Sequence, residues 1–191
     1  MPAASVRPAF TIRAIDHAAF DRVGRPRSAR FDRSMVGLSS VADHAKLWVA
    51  AGAVLALTGH RSAAARGLTS LSIASLTANV FGKQLFGGAR PLLSQIPRGR
   101  RLPRPPTSAT FPSGHSASAF AFAVGASIDD PRLAIVLVPM AVAVAYSRLH
   151  TGSHWLSDVV GGALLGTAVA IVGAVLHRRR QTRARSRREL S

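Results

Sequence analysis

Three short clusters carry the groups that could do chemistry. They are Lys83, Arg90 and Pro91 in "KQLFGGARP", Pro112 to His115 in "PSGH", and Ser147, Arg148, His154 and Asp158 in "SRLHTGSHWLSD". Lys83, Arg90 and Arg148 supply three positive charges, and a guanidinium grips two oxygens of one oxyanion at once. Ser113 and Gly114 precede an apolar run, so backbone N–H groups at a helix start can aim at an anion there. Together these make a cradle for a phosphate. His154 and Asp158 stand four apart, one helical turn, which lets the carboxylate orient the imidazole. An imidazole so held is a nucleophile or a base, and His115 is left as the acid that protonates a leaving group. The set suits phosphoryl transfer through a phosphohistidine without a metal.

Each group alone has a plainer reading. A single Arg at a helix end commonly anchors in the membrane interface, a single His is more often structural, and Ser or Pro at a helix start caps it. His150 and His154 have the spacing of a zinc-binding helix. The residues between them are Thr151, Gly152 and Ser153, with no Glu to act as base, so no metal is expected. Only the joint occurrence of the clusters favours catalysis.

The elements that must position these groups are read from five apolar segments, roughly 46–59, 63–82, 116–128, 132–147 and 156–176. The last, "VVGGALLGTAVAIVGAVL", has the length of a spanning helix. The others are shorter or carry Ser and Thr, as helices inside a bundle do, and small residues throughout allow close helix approach. Before them, Phe31, Met35, Leu38, Ala42 and Ala45 recur at helical spacing. That predicts an amphipathic helix in the membrane interface, or one packed on a soluble partner. The stretch 83–112 is rich in Pro and Arg and reads as a loop between the second and third segments. The fold expected is an all-α integral-membrane bundle of about five transmembrane helices plus the N-terminal interfacial helix. The chain is expected to divide into a basic arm with that helix (1–43), a transmembrane domain that carries the three clusters and their phosphoryl chemistry (44–176) and an Arg-rich tail (177–191). With alternating spans, the end of the second segment, the start of the third, the end of the fourth and the start of the fifth share one membrane face. The three clusters therefore converge.

Composition narrows the partners. The 191 residues are 48% hydrophobic, with 25 Lys and Arg against 8 Asp and Glu, a formal charge of +17. Such a balance points to nucleic acid, an anionic membrane surface or an anionic substrate. The long apolar runs and the single Tyr146 argue against nucleic acid. Cysteine is absent, which removes disulfides and thiolate chemistry. The N-terminus has no apolar core followed by a small-residue cleavage site, so no cleavable signal is expected. Basic residues flank both ends of the spans, so the positive-inside rule does not choose a side for the clusters. The location expected is the plasma (inner) membrane.

The sequence resembles the type 2 phosphatidic-acid phosphatase family, which shares its site with vanadium haloperoxidases and some glucose-phosphate phosphatases. The family's motifs are Lys-x6-Arg-Pro, Pro-Ser-Gly-His and Ser-Arg-x5-His-x3-Asp. They occur in order here as Lys83–Pro91, Pro112–His115 and Ser147–Asp158, within a resemblance covering roughly residues 44–176. The resemblance implies that Lys83, Arg90, Arg148, Ser113 and Gly114 bind phosphate. It implies too that His154 attacks phosphorus, Asp158 orients it and His115 protonates the leaving oxygen, with Ser147, Pro91 and Pro112 in support. The implied substrate is a lipid phosphate or pyrophosphate: a polyprenyl diphosphate, a polyprenyl sugar phosphate, phosphatidate or phosphatidylglycerophosphate. No cofactor is implied. Other reaction classes are a vanadate-dependent haloperoxidase, which the spans disfavour, and a non-catalytic protein binding anionic lipid, which would not need the motifs. The chain departs from the family pattern in three places: many members have six spans, many carry an aromatic residue and Pro where Trp155 and Leu156 stand, and an additional Arg is frequent where Gly87, Gly88 and Ala89 stand.

Overall fold

A computed structural model describes residues 8–189, and the first residues of the basic arm, Arg7 included, and the last two of the tail lie outside them. Eight α-helices form, and no strand occurs among the described residues. They are α1 (Pro8–Gly24), α2 (Ala29–Val41), α3 (Lys46–Leu57), α4 (Arg61–Leu76), α5 (Lys83–Phe86), α6 (Gly114–Asp129), α7 (Ala134–His150) and α8 (Leu156–Glu189). The five apolar segments correspond to α3, α4, α6, α7 and α8, and the interfacial helix to α2.

Helix α6 is central, packed against α4, α7 and α8. Its sequence "SASAFAFAVGAS" explains why, since small side chains on every face admit neighbours all round. Ala117, Ala119, Ala121, Phe122, Ala123 and Ala126 have no exposed surface. The seam with α8 is tighter still. A Cβ on Gly162 would stand 2.3 Å from the Ser113 carbonyl oxygen, and one on Gly166 2.1 Å from that of Ala117. Two backbones meet there with only hydrogen between them, as small residues four apart permit. On the other flank, Trp48 of α3 packs its ring 5.2 Å from that of Phe122.

The outer surface is apolar. Leu57, Ile135 and Leu164 are 88%, 77% and 67% exposed, with Val54, Val136 and Val172 beside them. An exposed belt of large aliphatics is costly in water and suits lipid. Two stretches are long and apolar enough to cross a membrane, Pro131–His150 and Leu156–Ala184, with α2 and α3 a third if their pair, bent by 69°, counts as one span. The chain is an all-helical, multi-pass membrane protein. By length, fewer than five helices qualify as complete spans, because α3, α4 and α6 have 12, 16 and 16 residues.

Three local features differ from the expected organisation. Residues 8–24 are helical although they lack a long apolar run, because α1 packs by a few residues, notably Asp16 and Phe20, against the start of α8. The tail continues α8 as one helix to Glu189. Between α4 and α5 the chain makes a π-helical turn, Thr77–Gly82. Such wide turns are rare and recur at functional sites, where they re-aim the next side chain. Here that side chain is Lys83.

Candidate active site

The three clusters meet. A cavity of about 480 Å³ is lined by Lys83, Arg90, Gly114, His115, Arg148 and His154, with Trp48, Ser75, Asn79 and Ser118 among its other walls.

The nucleophile candidate sits in the turn between the two longest spans. His154 is 3% exposed and Asp158 2% exposed. His154 Nδ1 lies 3.5 Å from Asp158 Oδ2, while Nε2 faces the cavity, 3.4 Å from Arg90 Nη1. Asp158 is itself anchored: its Oδ2 accepts from Trp155 N at 2.7 Å and from Thr110 Oγ1, and its carbonyl accepts from Ser113 N at 3.0 Å. Thr110 Oγ1 also lies 3.3 Å from His154 Nδ1. Burial, with Arg90 and Arg148 adding to it against the pull of Asp158, lowers the pKa of His154 from its ordinary 6.5 to about 4. The imidazole is therefore neutral near pH 7, and its Nε2 lone pair, which Arg90 Nη1 reaches at 3.4 Å, faces the cavity.

The cations are held by groups from elsewhere in the chain. Ser108 accepts from Lys83 Nζ at 2.9 Å through its hydroxyl and from Arg90 Nε at 3.0 Å through its carbonyl. Arg90 also donates to the Ser153 carbonyl and to that of Ala109. Arg148, 2% exposed, donates from Nη1 to Ser39 Oγ. Its Nε is buried with no hydrogen-bond partner among the described residues. A buried charged donor without a partner is costly, and an oxyanion would satisfy it.

On the opposite wall His115 opens α6, and its Nε2 lies 2.7 Å from Asp43 Oδ1. Asp43 Oδ1 is also 4.0 Å from Arg148 Nη1.

The supporting residues expected from the sequence lie behind the cavity. Ser113 caps α6, its hydroxyl accepting from Ser116 N at 3.4 Å, and its own N–H is taken by Asp158. Of the Ser113–Gly114 pair, Gly114 lines the cavity. Ser147 is buried and donates to the Val144 carbonyl at 2.7 Å. Pro91 and Pro112 are buried too, and Pro112 lies against Gly82, where a Cβ would come within 2.6 Å of its ring. His150 turns away from His154, and its Nε2 lies 2.8 Å from Asp32 Oδ1. That carboxylate also accepts from the buried Arg100, tying the 83–112 loop to α2 and α7. No group of three His, Cys, Asp or Glu among the described residues could hold a metal ion.

Several residues escape sequence reasoning. Asp43, Ser108 and Thr110 belong to none of the clusters, and Asp16 comes from the far end of the chain. The Asp16 carboxylate accepts from Ser157 N at 2.8 Å and Ser157 Oγ at 2.7 Å, capping α8 beside Asp158. His17 and Phe20 flank Trp155 at 5.0 and 5.5 Å. A carboxylate followed by apolar residues at α1 was the available signal, but it names no partner.

Known proteins resemble the chain in both sequence and fold. Over 68 residues it is 37% identical to an undecaprenyl-diphosphatase of Sulfolobus acidocaldarius, covering 35% of this chain and 33% of that protein. It is 30% identical over 70 residues to a lipid A 1-phosphatase of Rhizobium etli, covering 37% and 30%. With a putative undecaprenyl-diphosphatase of Escherichia coli it shares 31% over 112 residues, covering 58% and 54%. The matches thus span about a third to a half of these relatives' lengths. Two crystal structures share the fold at 21% identity. A transmembrane PAP2-type phosphatidylglycerolphosphate phosphatase from Bacillus subtilis has a TM-score of 0.69, with 88% of this chain and 87% of that one covered. Aquifex aeolicus LpxE has a TM-score of 0.61, with 80% and 90% covered. The family model described as the PAP2 superfamily matches residues 63–182, which takes in all three clusters, and the chain belongs to that superfamily.

Proposed function

We propose that this protein is a metal-independent membrane phosphatase that removes a phosphate from a lipid phosphate or pyrophosphate through a phosphohistidine at His154. One observation carries the reading. A neutral imidazole, held from behind by Asp158 at 3.5 Å, points its unprotonated Nε2 into a cavity ringed by Lys83, Arg90 and Arg148. The relatives act on undecaprenyl diphosphate and lipid A by name, and the structural neighbour on phosphatidylglycerolphosphate. Those substrates share a phosphate on a long apolar tail, which suits a polar cavity set in an apolar belt. The plasma membrane is the proposed location.

The steps follow from the geometry. Lys83, Arg90 and Arg148, with the start of α6 at Gly114, hold the phosphoryl oxygens and take up the charge that develops on them. The His154 Nε2 lone pair forms a P–N bond as the bond to the leaving oxygen breaks, and His115 gives that oxygen its proton. Water then attacks phosphorus while His115 takes a proton from it. The P–N bond breaks, inorganic phosphate leaves and both histidines return to their starting states. Asp158 keeps the imidazole in the tautomer that leaves Nε2 free.

The test is phosphate release from lipid phosphates in detergent containing EDTA. The wild type is expected to turn over and His154→Ala to lose roughly 10³-fold or more, while still inserting and purifying as a folded helical protein. Undiminished release by that variant would defeat the mechanism, and abolition by EDTA would defeat its independence of metal.

A further inference from the structure

Asp43 is a carboxylate at the site to which the reaction above gives no task. It stands at the bend of 69° between α2 and α3. The next two residues, His44 and Ala45, have φ of 56° and 59°, the left-handed region that residues other than glycine seldom adopt. Strain of this kind persists where the surrounding structure enforces it, and it concentrates at functional sites. Its effect here is to turn α3 aside and leave the Asp43 side chain against His115, which lines the cavity. Oδ1 lies 2.7 Å from His115 Nε2 and 4.0 Å from Arg148 Nη1. Asp43 lies outside residues 63–182, the part matched by the superfamily model. It is therefore a feature of this chain's N-terminal wall and of none of the three clusters.

In-line displacement fixes where the leaving group goes. The nucleophile and the leaving oxygen stand on opposite sides of phosphorus, and the leaving oxygen must lie against the group that protonates it. That group is His115, so the leaving oxygen sits against the imidazole whose Nε2 the Asp43 carboxylate holds at 2.7 Å. Two kinds of leaving group are then distinguished by charge. A phosphomonoester releases an alcohol, neutral once His115 has given up its proton. A diphosphate releases a second phosphate, which carries negative charge throughout. Lys83 and Arg90 attract the transferred phosphoryl group of both substrates equally, His44, at the same bend, faces both alike, and the charge of Arg148 on this side is offset by Asp43 at 4.0 Å. Among the charged groups named at this wall, the Asp43 carboxylate is the one that repels an anionic leaving group.

We infer that Asp43 makes this site selective for lipid phosphomonoesters over lipid diphosphates. The inference rests on the phosphatase reading above and narrows it. Like charges about 5 Å apart at a partly buried site translate into a preference of roughly tenfold to a hundredfold.

The experiment compares a polyprenyl monophosphate with the diphosphate of the same tail, reading kcat/KM for phosphate release in detergent. The wild type is expected to prefer the monophosphate by roughly tenfold or more, and Asp43→Asn to bring that ratio down by a similar factor. Asn keeps the size of the side chain and an oxygen that can accept from His115. Any loss of acid strength in His115 slows both substrates and largely cancels in the ratio, as does a general loss of folded protein. Should Asp43→Asn not accumulate, Asp43→Ser serves the same comparison. A wild type that prefers the diphosphate, or a ratio unmoved by either variant, overturns the role of Asp43 and leaves the phosphatase reading standing. If the wild type hydrolyses neither, phosphatidate and the diphosphate of the same diacylglycerol take their place, and inactivity on all four compounds overturns both readings.

Discussion

The site contains two His–Asp pairs built in opposite ways. His154 and Asp158 lie four residues apart in one turn, both almost fully buried, and Asp158 is braced by Trp155, Thr110 and Ser113. His115 and Asp43 are 72 residues apart, and Asp43 is 40% exposed in its side chain, at a helix bend. The first pair needs a fixed lone pair aimed at phosphorus, and rigid local packing supplies it. The second must release and regain a proton beside leaving groups of different shape. A carboxylate brought in from another element can be changed without disturbing the helix that carries the histidine. Nucleophile and acid thus differ in how much of the fold each commits.

The sharpest way to break this comparison is to vary the leaving group. His154→Ala is expected to fail with every substrate. His115→Ala should lose roughly 10²- to 10⁴-fold with a lipid alkyl phosphate, yet recover most of that with an aryl phosphate, whose oxygen leaves without a proton. Equal losses for both substrates in His115→Ala would remove the division of labour between the two rings.

A smaller effect concerns pH. Folding lowers the proton affinity of His154, so its neutral form persists as pH falls until the medium approaches about pH 4. After correction for the substrate's own ionisation, kcat/KM is expected to rise as pH falls below 7, because burial lowers the proton affinity of the acid His115, and to drop only around pH 4, where His154 gains its proton. An imidazole of ordinary affinity would lose activity through about pH 6.5 instead. A midpoint there would show that burial does not tune the nucleophile.

The smallest effect expected on chemistry, though not on stability, comes from the α6–α8 seam. Gly166→Ala places a methyl group against the Ala117 carbonyl, where 2.1 Å is available. Separating the two helices should cost about 1–3 kcal/mol, read as a lower Tm in detergent. The folded fraction should keep its pH profile. An unchanged Tm would mean the seam is looser than its geometry implies.

Much of this molecule is legible in the sequence because apolar runs mark the five bundle helices, although only α7 and α8 have the length of complete spans, and the clusters sit at the ends of those runs. Lys83, Arg90, His115, Arg148 and His154 line one cavity for that reason. What escapes has physical causes. Helix α1 has no apolar run because its attachment is polar, through Asp16 to Ser157. Asp43 reaches the site because His44 and Ala45 adopt a backbone that neither residue type signals, where Gly or Asn would have. Thr110 and Ser108 lie in a loop whose course follows no periodicity. Ser113 presents its hydroxyl to the helix rather than the cavity, a choice between capping and binding that the tetrapeptide leaves open.

Glycines 162 and 166 bring two helices to contact distance, and that has a bearing on how such an enzyme diversifies. A wall with no side chains to exchange has no vocabulary for recognising different molecules. Novelty in what is accepted has to be written on the facing side, by α2, α3 and the long connection after α5, while the glycine seam stays silent from one variant to the next.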